Sequence, residues 1–363
     1  MVKRGAILSA MILLIVTVCG RGLCAQTAPP GRVYSLEETQ RQLGSRGERA
    51  EFRWDPFLQS GVFTVGGRYA AFAAGAPGET GMILLDGRDL LRAPAPYLDQ
   101  GLLRFPEGFV ASLKGAVDPA SRDDTRFRIA AIVVDPGHGG KDPGAIGRPT
   151  INGKVTQVVE KEITLKMSRL LYTRLSSAYP DKRVLLTRQG DSYPSLEERV
   201  MLANSVPLRE NEAIVYISIH ANFNFNKNAR GYEVWYLPPD YRRTVIDQEK
   251  YRDAAEVLPI LNAMLEEEFT TESIIMARSI LRHIDAAMGR LIPSRGLKAE
   301  EWYVVRNARM PAVLVELGFV SNDEDARILT NDTHLRNYAE ALYKGIAEFI
   351  TAFDRSGGLN VIQ

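Results

Sequence analysis

Cysteine is almost absent from this chain: two among 363 residues, Cys19 and Cys24, both close to the N-terminus. The body of the chain therefore needs no disulfide. Net charge is equally scarce, since 45 basic residues face 44 acidic ones and leave +1. No strong field of one sign points to nucleic acid or an anionic membrane surface as partner. The uncharged apolar run from Ala6 to Val18 is too short to span a bilayer comfortably. With Lys3 and Arg4 ahead of it and Leu23-Cys24-Ala25 after it, the run has the form of a secretory signal cut after Ala25. Residues 1–25 are thus read as a signal peptide. The mature chain is expected to be exported to the periplasm or cell envelope, without cysteine and without a membrane span. Lipid attachment at Cys24 is the competing reading, and Arg21 counts against it.

What remains is long enough for two domains. Residues 26–115 read as a small α+β accessory domain. Leu36 to Leu43 is helical in pattern, and the runs Val62–Val65, Tyr69–Phe72 and Met82–Leu85 are β-like, separated by Gly66-Gly67 and closed by Asp86-Gly87. Residues 116–128 are polar and turn-rich, as in a linker. From 129 to 355 strand patterns alternate with helical ones. This predicts a three-layer α/β domain, a mainly parallel sheet with helices on both faces.

The first strand of that domain, Ala130 to Val134, stops at Asp135-Pro136-Gly137, and His138 follows between glycines. A histidine leaving the C-terminal end of a core strand stands where open α/β sheets bind their ligands. His220 ends a later strand, Ala213 to Ile219, and Glu160 opens the helix between the two. Two imidazoles and one carboxylate form a catalytic zinc set with one position left open. Glu316 closes the apolar run Ala312 to Val315 and is the natural general base. Each group has a plainer explanation. A strand-end histidine can serve as a hydrogen-bonding structural residue, and Glu160 can complement the helix dipole. Glu316 is harder to explain away, because a carboxylate on a core strand is costly without a partner. His283 and His334 lie among polar residues on surface helices and are read as structural.

The domain resembles the zinc-dependent N-acetylmuramoyl-L-alanine amidases of the amidase-3 type. The resemblance rests on Val134-Asp135-Pro136-Gly137-His138-Gly139-Gly140-Lys141-Asp142-Pro143-Gly144-Ala145, Glu160-Lys161-Glu162, Leu186-Thr187-Arg188, Leu196-Glu197-Glu198-Arg199, Ser218-Ile219-His220-Ala221-Asn222 and Met310-Pro311 through Phe319, in that order. It implies one zinc ion per chain held by His138, Glu160 and His220, with Glu316 as the catalytic carboxylate. The implied reaction is hydrolysis of the amide between N-acetylmuramic acid and L-alanine in peptidoglycan, during wall remodelling and cell separation. A zinc peptidase acting within the stem peptide and a non-catalytic wall-binding protein are the alternatives.

Two features depart from that family. The loop Arg148 to Val159 is longer than usual and leaves Glu162 as an alternative to Glu160. Residues 238–270 form an excursion with helical spacing at Ala254, Val257, Leu258, Leu261, Met264 and Leu265, ahead of a helix expected near Thr271. The resemblance implies that this insertion covers the zinc cleft until an activator protein displaces it. An ordinary surface helix is the plainer expectation.

Overall fold

The computed structural model describes residues 31–44, 49–65, 68–85, 89–117, 127–209, 211–246 and 258–356. The signal peptide, Cys24, both glycine-containing accessory turns and most of the expected linker lie outside the described residues. The helix Glu107–Val117 runs two residues into the stretch read as linker.

The accessory region is α+β. Five antiparallel strands, from Glu51–Asp55 to Asp89–Pro94, follow one another in a meander. The helices Leu36–Leu43 and Glu107–Val117 pack on one face of it. Ser35 and Glu38 close a capping box on the first helix, each side chain bonded to the other's backbone amide. Phe63, Phe72, Phe105 and Phe109 fill the space between, with neighbouring rings 5.0 to 5.9 Å apart.

In the second domain, β1 (Arg128–Pro136), β2 (Arg183–Leu186), β3 (Glu212–Asn222), β4 (Tyr232–Tyr236), β5 (Ser294–Ala299) and β6 (Ala312–Phe319) form one sheet in the order β2-β1-β3-β6-β4-β5. The first four strands of that order are mutually parallel, β4 runs antiparallel to β6, and β5 is parallel to β4. The central strands are apolar at nearly every position because both faces are covered. One face packs on α1 (Glu160–Ala178), α3 (Leu258–Met288), α5 (Asp323–Leu329) and α6 (Asp332–Ser356). Ile163, Met167, Leu171 and Leu175 make the buried stripe of α1 at the spacing of one helix face. The other face carries the shorter α2 (Leu196–Asn204) and α4 (Tyr303–Arg306). The three-layer expectation holds, with two reversed strands at one edge. Among the described residues no helix is long and apolar enough to cross a membrane.

Of the excursion 238–270, residues 247–257 lie outside the described residues. Its first flank leaves the C-terminal end of β4, which lies at the opposite edge of the sheet from His138 and His220 because β4 runs antiparallel to β6. No helix begins near Thr271; α3 runs unbroken from Leu258, with Pro259 in its first turn, where proline is tolerated. The Ala312 amide at the start of β6 donates to Ser273 Oγ. The part of α3 before Ser273 therefore projects beyond the N-terminal edge of the sheet. There Leu265 and Phe269, with Val245 and Ile246, pack on Ala71 and Leu84 of the accessory sheet. Burial of these apolar side chains, not closure over the cleft, is what holds the described parts of the excursion.

Candidate metal centre

His138, Glu160 and His220 converge at the C-terminal edge of the sheet, with one ligand atom from each lying within 4.8 Å of the others. Glu160 Oε1 stands 3.1 Å from His138 Nε2 and 3.0 Å from His220 Nδ1. The same oxygen accepts from the Ala221 amide, and Oε2 accepts from the Ala145 amide at 2.8 Å. The carboxylate is thus fixed from both ends. Burial pushes it toward the neutral form, but hydrogen bonds and charge from His138 and His220 outweigh burial and hold its pKa far below the ordinary value. For His138 burial acts downward, and the contacts with Glu160 and Asp142 raise its pKa on balance. Asp142, missed as a participant by the sequence reading, sits 2.8 Å from His138 Nδ1. That contact leaves Nε2 for the cluster and fixes the ring, as partners of ligating histidines do.

The backbone explains the glycines. His138 itself has φ of +58°, a left-handed conformation that needs support from its surroundings. Gly144 has φ of +65°, and a Cβ there would stand 2.6 Å from Glu160 Oε2 and from His138 Cδ2. A Cβ at Gly137 would collide with the His220 ring. The long loop before Glu160 is two successive antiparallel β-ladders, Ile146–Gly147 with Val158–Val159 and Thr150–Ile151 with Lys154–Val155, closed by an Asn152-Gly153 turn. Asn152 and Gly153 both have positive φ, as the tight hairpin turn requires. The hairpin returns the chain so that the Glu160 amide donates to the Ala145 carbonyl. Glu162 is exposed and outside the cluster.

Glu316 is the cross-strand partner of His220 on β6 and lies 9% exposed. Its Oε2 is buried without a hydrogen-bond partner. Burial, then the charges of Glu160 and Glu233, drive its pKa well above the ordinary value. His283 pairs with Glu348 at 2.8 Å on the helical face, and His334 opens α6. Neither joins the cluster.

Two further residues surround the His138 turn. Arg199 donates to Asp135 Oδ1 and to the Pro136 and His138 carbonyls, each at 2.6 Å. Arg188 is 3% exposed, and burial together with the neighbouring Arg199 lowers its pKa to about 10. Asp135 is held ionised despite its burial by Arg199, Thr187 and Ser218.

The donor set fits a metal ion. Two imidazole nitrogens and a carboxylate oxygen face one another at the distances above, the carboxylate is in its ionised form, and an orphaned carboxylate oxygen lies on the adjoining strand. Such a set, at the C-terminal edge of an α/β sheet, is that of a candidate metal-binding site. Residues 132–348 match the Amidase_3 model, described as N-acetylmuramoyl-L-alanine amidase, and the chain belongs to that family. It is 32% identical over 238 residues to a probable N-acetylmuramoyl-L-alanine amidase AmiB of Haemophilus influenzae, covering 60% of this chain and 51% of that protein. It is 31% identical over 220 residues to N-acetylmuramoyl-L-alanine amidase LytC of Bacillus subtilis, covering 60% of this chain and 35% of LytC. The chain therefore spans about half and about a third of those two relatives. The solved catalytic domain of CwlV, an amidase from Bacillus (Paenibacillus) polymyxa, is 26% identical with a TM-score of 0.46, covering 61% of this chain and 99% of that one.

Proposed function

We propose that this protein hydrolyses the amide between N-acetylmuramic acid and L-alanine in peptidoglycan, outside the cytoplasmic membrane. One zinc ion would be held by His138, Glu160 and His220. The observation that carries the reading is the convergence of these three side chains beside Glu316, within a domain of this family. A zinc ion bound there supplies Lewis-acid polarisation of the scissile carbonyl and acidifies water.

The chain's own groups account for the proton. Glu316 Oε2, buried and without a partner, accepts a proton as water oxygen bonds to the carbonyl carbon. As the carbon–nitrogen bond breaks, Glu316 returns that proton to the departing L-alanine amine. Asp142 holds the His138 ring, and the Ala145 and Ala221 amides hold Glu160. The accessory domain, residues 26–115, is proposed to hold the described flanks of the excursion, 238–246 and 258–270, at the far edge of the sheet through Ala71 and Leu84.

The test is zinc content of the purified protein together with digestion of purified sacculi, products being read by mass spectrometry. Free stem peptides beginning with L-alanine support the reading. Cleavage inside the stem peptide would show a peptidase, and intact sacculi with a zinc-loaded protein would show a wall-binding protein.

A further inference from the structure

Arg188 bonds to both ligand-bearing segments with a single nitrogen. Its Nη2 donates to the Gly137 carbonyl at 2.8 Å and to the Lys161 carbonyl at 2.9 Å. The first carbonyl belongs to the peptide bond leading into His138, and the second lies one residue past Glu160. Nη2 also reaches Thr164 Oγ1 at 3.1 Å, and that hydroxyl donates to the Gly137 carbonyl at 2.8 Å. Nε donates to the Pro136 carbonyl and Nη1 to the Gly190 carbonyl, both at 3.0 Å. Among the described residues every hydrogen bond of this guanidinium thus runs to a carbonyl or a hydroxyl, and none to a carboxylate. A cation buried on neutral acceptors is costly unless its donors are fully used. Here they are used on the turn and the helix end that present His138 and Glu160.

Packing agrees with the bonds. A Cβ added at Gly139 would meet Arg188 Cδ and Nε at 2.9 Å, so the loop beyond His138 lies directly against the side chain. Only a planar fork with several donors can join Pro136, Gly137 and Lys161 at once. A lysine supplies the charge but not that geometry.

We propose that Arg188 is a positioning residue for the metal centre, which sets the spacing of His138 and Glu160 by clamping the peptide groups beside them. The inference rests on the zinc reading above. It predicts that metal affinity, and not merely stability, depends on the guanidinium. Groups hydrogen-bonded to metal ligands typically change metal affinity about 10- to 100-fold, and a clamp on the peptide groups adjoining His138 and Glu160 is expected to act in that range.

The experiment is competition for zinc against a chromophoric chelator, on the full chain, with thermal unfolding recorded in parallel. Arg188→Lys is expected to bind zinc about 10- to 100-fold more weakly than the parent. The control is Arg243→Lys. Arg243 Nη1 holds the Val305, Arg306 and Ala308 carbonyls in the same manner, but ahead of the N-terminal end of β6. Arg243→Lys should lower the unfolding temperature and leave zinc affinity within about twofold of the parent. Equal affinity in Arg188→Lys and the parent overturns the proposal, as does an equal loss in Arg243→Lys. If Arg188→Lys does not fold, Thr164→Val removes the hydroxyl between Arg188 and Gly137 with little change of shape. It should weaken zinc binding by several-fold, and unchanged affinity there is again against the clamp. A parent chain that binds no zinc defeats the metal reading itself, which is a different result from a parent and Arg188→Lys that bind alike.

Discussion

Glu316 and Glu233 are register partners on the antiparallel strands β6 and β4, yet of the two only Glu233 forms ion pairs among the described residues. Glu233 meets Arg295 at 2.7 Å, Lys298 at 2.5 Å and Asn222 at 2.8 Å. Burial acts upward on its pKa, but those three contacts outweigh it and hold the value low. Glu316 has no such neighbour at Oε2, and its pKa is driven up. Two carboxylates with environments that push them apart can take separate jobs, one as structural anion and one as proton carrier.

For Glu316→Gln the expected outcome is retained zinc with turnover reduced by about 10²- to 10⁴-fold. The amide preserves the shape but cannot accept a proton. Zinc content and sacculus digestion measured on one preparation decide it. Near-normal turnover would make Glu316 structural and require another base.

Glu233→Gln should act on stability. It leaves Arg295 and Lys298 without their anion at a buried position, a loss of about 1–3 kcal/mol. That is less than for a fully buried pair, because the two cations are 36% and 30% exposed. The sign with pH follows from the lowered pKa of Glu233. Its contribution is present above the unfolded value of about 4.3 and is lost as pH falls through the folded value. Denaturation midpoints of parent and variant should therefore differ most near neutrality and converge in acid. A constant gap at all pH values would assign the loss to packing.

His220→Ala removes one of the two imidazoles that face Glu160. Most bound zinc and all hydrolysis should go, while the helix-packed sheet remains folded, since Ile217, Val315 and their neighbours supply the core. The stabilisation that the parent gains from added zinc should vanish with it. Full zinc occupancy in this variant would remove His220 from the ligand set.

The parts of this protein that were legible in sequence are those whose chemistry is local. His138, Glu160 and His220 each stand at or beside an element end that hydrophobic pattern and turn residues already mark, whereas Glu316 lies inside β6, three residues before its end. The structure brings the first three together and sets Glu316 on the adjoining strand. The strand Ser294–Ala299 was not legible, because Ser-Arg-Gly-Leu-Lys-Ala has no apolar alternation; it is an edge strand whose Arg295 and Lys298 are spent on Glu233. Asp142 was visible as a motif residue, but its bond to His138 depends on the left-handed turn between them. Arg188 offered no signal of its role, since its acceptors are backbone carbonyls, and any sequence supplies those. The excursion 238–270 was legible as helical but not as to its side. A helical stripe of apolar residues states that a partner exists without saying which surface it is.

The final prediction tests that last point. Leu265 is 9% exposed and packs with Ala71 and Leu84 of the accessory sheet and with Val245 and Ile246. Ser273 marks the start of β6. Glu316 stands four residues along that strand, about 13 Å away at the rise of a strand. Leu265 lies eight residues back along α3, about 12 Å in the other direction at the rise of a helix. A charge at position 265 is thus remote from the cluster but central to the contact between domains. Leu265→Asp should uncouple the accessory domain, seen as a single thermal transition splitting into two. Zinc content and sacculus digestion should stay within about twofold of the parent, since no described contact of Leu265 reaches the ligand-bearing loops. The opposite expectation follows if residues 238–270 close over the cleft: loosening them would expose it, and digestion would rise several-fold at equal zinc content. A rise of that kind would return the segment to a regulatory role. Unchanged digestion with split unfolding assigns it to holding the two domains together.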